Sequence, residues 1–125
     1  EYSFSEGLLE RTAERFLADG VAAVMLTAGA HGLYLRTAGA DRLRTAGRAL
    51  APLADSWADA TVRLPASGKP GSGTTVGAGD SASAGLLSGI LRGFDPERAV
   101  RLADACAASV VSGIPLEQTA VGLLG

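Results

Sequence analysis

The sequence predicts a soluble α/β fold built on a parallel sheet, and three observations lead there. An apolar helical stripe is followed by Gly20 and then by an unbroken apolar run over residues 21–26. A helix, a glycine stop and a buried strand make up the αβ half of a βαβ unit. From residue 81 onward the apolar pattern turns strongly helical. The 17 glycines, together with abundant alanine, suit helices packed closely on a sheet.

The first helix starts at Ser3-Phe4-Ser5-Glu6, where Ser3 and Glu6 have the spacing of a capping box. Leu9, Ala13, Phe16 and Leu17 then repeat at helical spacing, and Gly20 stops the helix. Residues 21–26 have the continuous apolarity of a strand buried on both faces. A turn through His31 and Gly32 leads to a second strand over residues 33–37. Residues 38–60 read as a surface excursion with one or two helical turns, and 61–64 as a further strand. Gly, Ser and Pro make residues 66–73 a flexible loop. A helix over 81–92 carries Leu86, Leu87, Ile90 and Leu91 on one side, and Gly93 ends it. Asp95-Pro96 opens the next helix with an N-cap and a first-position proline. Ala99, Ala103, Cys106 and Val110 share one of its faces, Gly113 stops it, and Pro115 begins a short last helix.

Composition excludes several function classes. The 125 residues suit one domain or part of a larger one. Eleven basic and thirteen acidic residues, the basic ones scattered, argue against a nucleic acid partner. One Cys and one His cannot assemble a disulfide framework or a soft-metal site. The longest apolar run is six residues, so no membrane span is expected. The chain opens at Glu1 with neither Met nor a basic and apolar leader. The expectation is therefore no secretory signal, a cytoplasmic location, and a piece cut from a longer protein.

The chemistry concentrates in Gly73-Thr74-Thr75-Val76-Gly77-Ala78-Gly79-Asp80, which runs into a helix. Glycine turns at helix starts aim unpaired N–H groups at one point, where the helix dipole adds positive charge. That makes an anion site, with phosphate its commonest occupant. The plain alternative is an ordinary glycine loop with Asp80 as a first-turn acid. The stretch is not a Walker A loop, because Gly68-Lys69 is followed by Pro70 and lacks the upstream glycine. Nor does it keep dinucleotide-fold spacing, since Val76 stands where the third glycine belongs. Asp80 shifts the balance. A carboxylate at an anion-binding helix start repels a resting phosphate, but it can take the proton of a hydroxyl attacking that phosphate. The arrangement reads as a kinase.

Thr75-Val76-Gly77-Ala78-Gly79-Asp80-Ser81, followed by Ala84-Gly85-Leu86-Leu87, resembles the second signature of the ribokinase-like (phosphofructokinase-B) carbohydrate kinases. Residues 24–35 are similar to that family's strand-turn-strand before the signature, and 92–108 to the helix after it. The resemblance covers roughly residues 8 to 113. It implies a ribokinase-like three-layer α/β/α sandwich, of which residues 1–125 are the C-terminal nucleotide-binding portion, with the upstream acceptor-binding half absent.

The resemblance also implies ATP-dependent phosphorylation of a hydroxyl on a sugar or small polyol, with Mg²⁺ arriving on ATP. Asp80 would be the general base, and the N–H groups of Gly77, Ala78 and Gly79 the anion hole. Thr27 and Gly29 match the turn that approaches the nucleotide phosphates, and Gly32 allows that turn. Asp104 and Ala107 fall where the late helix borders adenine, although Asn or His is frequent at the position of Asp104. Thr74 stands where the family often has an Asp tied to a monovalent cation, so potassium activation is not implied. Lid strands pair subunits in many members, which allows a homodimer at full length. The chain alone is expected to be inactive. A non-catalytic nucleotide- or phosphometabolite-binding module, or a degenerate kinase remnant, is the competing reading. A structural α/β domain with an incidental glycine turn is the third.

Four other residue types read as structural. His31 is expected on the surface, Cys106 in core packing, and Trp57 capping a hydrophobic edge. Arg42, Arg44 and Arg48 are expected on a solvated loop face.

Overall fold

The computed structural model describes residues 6–69 and 71–124. Helix α1 (Glu6–Ala18) leads to strand β1 (Ala23–Thr27), a 3-10 turn (Gly29–His31) and strand β2 (Leu33–Thr37). Short helices α2 (Ala40–Arg44) and α3 (Ala54–Trp57) precede strand β3 (Thr61–Leu64). Then come α4 (Ala78–Leu91), α5 (Pro96–Ser112) and α6 (Leu116–Thr119). The capping box of Ser3 and Glu6 lies outside the described residues.

The three described strands form one sheet in the order β1-β2-β3, and both pairings are antiparallel. Met25 faces Leu35 in one register and Leu35 faces Val62 in the other. This corrects the expectation of a parallel sheet among these strands. A parallel crossover needs a dozen or more residues, whereas the turn between β1 and β2 is short enough only for a hairpin. The burial of β1 is corrected as well. Within this sheet β1 is an edge strand, half-buried over most of its length, and β2 is the buried centre.

Helices cover both faces. Leu33, Leu35, Val62 and Leu64 point into the main core, which α5 closes with Ala99, Val100, Leu102 and Ala103. The opposite face carries Tyr34 with Arg63, whose guanidinium lies 4.9 Å from the ring centre. Arg63 also reaches Glu10 of α1 at 3.1 Å, which ties that helix to the second face. The result is an α/β/α layering.

Helix α4 packs mainly on α5 through small residues. A Cβ on Gly85 would lie 2.8 Å from the Ala103 Cα, and one on Gly89 2.9 Å from the Ala99 Cα. The buried stripe of α4 is therefore Ala82, Gly85, Gly89 and Ile90. Leu86 joins it in part, whereas Leu87 and Leu91 are 60% and 76% exposed. The expected common face of the four large residues is thus split. Gly85→Ala should cost about 1–3 kcal/mol in urea unfolding, because backbone lies opposite the new methyl. A loss below about 0.5 kcal/mol would mean that the helices part without strain.

The excursion between β2 and β3 keeps an exposed outer side, as expected, but sends Leu43, Ala54 and Trp57 into the core. Trp57 is fully buried, and its Nε1–H donates to the Phe94 carbonyl at 2.9 Å. Arg42, Arg44 and Arg48 are exposed, as expected, and the first two also make contacts. Arg42 donates to the carbonyls of Leu17 and Val21 (2.6 and 3.1 Å), tying down the chain that leaves α1. Arg44 pairs with Asp41 and Asp55. His31 is exposed, as expected. Cys106 is half-buried beside Gly85, and burial pushes its thiol pKa up, away from thiolate reactivity.

Candidate functional site

Three chain segments converge on one cavity of about 370 Å³. The first is the hairpin turn between β1 and β2. The Ala28 N–H donates to the Gly32 carbonyl at 2.9 Å, and the Gly32 N–H returns to the Gly29 carbonyl at 3.1 Å. Gly32 has φ +93, and a Cβ there would sit 2.0 Å from the Leu64 carbonyl oxygen. Only glycine lets the turn cross the end of β3 so closely. The turn contributes Thr27, Gly29 and Gly32 to the cavity wall.

The second segment is the start of α4. Thr74 is anchored by its N–H to the Val110 carbonyl (3.0 Å), and its Oγ1 accepts from the Val76 N–H (3.1 Å). Gly77 is the N-cap, in the left-handed region at φ +87, and no side chain caps the helix. The first N–H groups of a helix have no intrahelical acceptors, so an uncapped start leaves donors for a ligand. The Ala78 N–H turns back to the Thr75 carbonyl at a long 3.3 Å. Ala78 and Gly79 line the cavity. Gly77 and Asp80 stand just outside the lining, and Asp80 is exposed in the first turn of α4.

The third segment is α5, which presents Asp104 and Ala107. Asp104 is only 9% exposed, and its carboxylate accepts from the Ser67 N–H at 3.2 Å and from the Ser67 hydroxyl. The loop from β3 to α4 is laid along this helix. Cβ atoms on Gly68 and Gly73 would fall 2.9 Å from the Ala108 Cα and 1.9 Å from the Val110 carbonyl oxygen. A loop that composition alone makes flexible is thus seated against a helix.

The cavity therefore gathers Thr27, Gly29, Gly32, Ala78, Gly79, Asp104 and Ala107, all singled out from the sequence. It also includes Ala66, Gly68, Ala108 and Val111, which sequence reasoning missed. Ala107, Ala108 and Val111 follow the helical period of α5, a signal that was present but could not be told from core. Most of the wall is apolar, with Thr27, Thr75 and Asp104 as its polar side chains. Such a mixture of apolar wall and a few placed polar groups is usual for small-molecule sites.

The family model for the pfkB family carbohydrate kinases matches residues 5–114. The chain belongs to that family. No individual curated protein matches it. The pfkB match runs from α1 through the end of α5, so it spans the sheet, both helix layers and every segment of the cavity. The α/β/α layering agrees with the ribokinase-like sandwich of this family. Among the described residues no cluster of three or more His, Cys, Asp or Glu side chains is arranged to hold a metal ion. Among the same residues, no helix is long and apolar enough to cross a membrane.

Proposed function

We propose that this pfkB-family chain is the nucleotide-binding portion of an ATP-dependent kinase acting on a sugar or small polyol in the cytoplasm. The observation that carries the reading is the convergence of the hairpin turn, the uncapped start of α4 and the α5 face on one cavity. Asp80 follows directly on that wall. The cavity receives the nucleotide, with Thr27 and Gly29 near its phosphates. The N–H groups of Gly77, Ala78 and Gly79 hold the transferring phosphoryl group, where developing negative charge meets the helix dipole.

Asp80 accepts the proton of the acceptor hydroxyl as its oxygen bonds to the γ-phosphorus. The bond from that phosphorus to the β–γ bridging oxygen breaks, and ADP leaves. Mg²⁺ would arrive on the phosphates of ATP and would offset their charge, since it keeps waters and needs few protein ligands.

The acceptor-binding half is proposed to come from outside these residues. Two features support this: the edge position of β1, and the exposed Leu87 and Leu91 on α4. The chain should therefore bind MgATP yet phosphorylate no sugar. In a thermal shift experiment, millimolar MgATP should raise the melting temperature by mass action. No shift at that concentration would remove the nucleotide reading. Sugar phosphorylation by the 125 residues alone would overturn the division of labour.

A further inference from the structure

We propose that Asp104 is a positioning residue that shapes the cavity through Ser67; the inference rests on reading that cavity as the nucleotide site. Asp104 projects from the buried face of α5, and its two oxygens take the backbone N–H and the hydroxyl of the same residue. The residues on either side of Ser67, Ala66 and Gly68, line the cavity, as does Asp104 itself. The carboxylate thus holds the loop leaving β3 against α5, and the held loop is one wall.

The chemistry of the pair explains the residue type. An ionised carboxylate is acceptor-only, so both oxygens can meet the two donors of Ser67. An amide keeps one acceptor oxygen for the Ser67 N–H, and its NH₂ can donate to the Ser67 hydroxyl oxygen only by reversing that bond and without the charge. Asn at this position therefore keeps both contacts only as weaker, neutral bonds, and Ala keeps neither. Gly68 strengthens the need for such a hold. A Cβ there would be 2.9 Å from the Ala108 Cα, so the wall exists only while the loop is pressed on the helix. Hydrogen bonds to a charged partner are among the stronger ones available for this purpose.

The test compares the chain with its Asp104→Ala, Asp104→Asn and Ser67→Ala variants in two measurements. Amide hydrogen exchange without nucleotide reports the hold on Ser67, and calorimetric titration with MgATP reports the cavity. Asp104→Ala should speed exchange of the Ser67 amide by about tenfold or more and weaken MgATP binding by about tenfold. Asp104→Asn should recover part of both. Ser67→Ala, which keeps the N–H, should weaken binding about threefold. Ser67 is exposed, so that variant carries the test if Asp104→Ala does not fold.

Unchanged exchange in folded Asp104→Ala would overturn the hold. Faster exchange with unaltered MgATP affinity would reduce Asp104 to a stability role and overturn its shaping of the site. If the unaltered chain does not bind MgATP, the functional reading fails. The exchange measurement then decides separately whether Asp104 holds the wall.

Discussion

Asp80→Asn in the full-length protein is expected to lower the turnover of phosphoryl transfer by about 10²–10⁴-fold, the usual contribution of a general base. Asn is nearly isosteric with Asp and keeps polar contacts, but it cannot take up the proton of the acceptor hydroxyl. The exposed position in the first turn of α4 leaves little packing to disturb. MgATP affinity should hold or improve. Asp80 stands beside the donors proposed for the phosphoryl group, where a negative charge opposes a resting phosphate and a neutral amide does not. A fall in kcat without a rise in the KM for ATP is therefore the signature, since it marks an interaction made only in the transition state.

A variant that kept most of its turnover would remove Asp80 from the base role. A full-length protein that bound MgATP but phosphorylated no member of a broad panel of sugars and nucleosides would favour a binding module. The same pair of measurements thus separates the kinase from its non-catalytic rival.

Much of this site was legible in the sequence, for uneven reasons. β2, β3 and the start of α5 follow directly from local pattern. At α5 the N-cap is confirmed, because the Asp95 carboxylate accepts the Arg98 N–H at 2.8 Å. The apolar pattern begins the helix at Ser81, three residues after the true start of α4. Gly77 and Gly79 are poor helix formers, and propensity hides a helix whose first turn is kept open. The sheet direction is not legible because an unbroken apolar run says nothing of pairing, and β1 is followed by a turn too short for a crossover.

Asp104 and Ala107 came into view only through the family resemblance, since on α5 they are indistinguishable from core positions by period. The partnership of Asp104 with Ser67 had no sequence signal at all. It joins residues 37 positions apart, one of them in a loop without periodicity.

Trp57→Ala is expected to be the most destabilising single change, at about 3–5 kcal/mol from the lost side chain and the space left behind. Trp57 is fully buried and sits in the core with Leu43, Ala54 and Phe94. Truncation also strands the Phe94 carbonyl, which accepts the indole N–H, and an unsatisfied buried acceptor adds about 1–3 kcal/mol. Against a total stability of about 5–15 kcal/mol for a domain, that sum takes a large share of the margin.

The position of Trp57 explains why the loss would reach the site. Its own carbonyl accepts from the buried Thr37 hydroxyl at the end of β2, and Thr37 Oγ1 accepts from the Ala60 N–H at 2.7 Å. Its indole grips the turn between α4 and α5. One residue therefore links the central strand to the helix pair that carries Gly79, Asp80 and Asp104. Trp57→Phe keeps most of the volume and gives up the indole donor, so it should remain folded with a loss of about 1–3 kcal/mol. Urea unfolding of both variants checks the argument. An Ala variant within about 1 kcal/mol of the parent would return residues 38–60 to the status of a dispensable surface excursion. A large Ala loss with a small Phe loss assigns the stability to filled volume. Losses of similar size assign it to the hydrogen bond that fixes the α4–α5 turn.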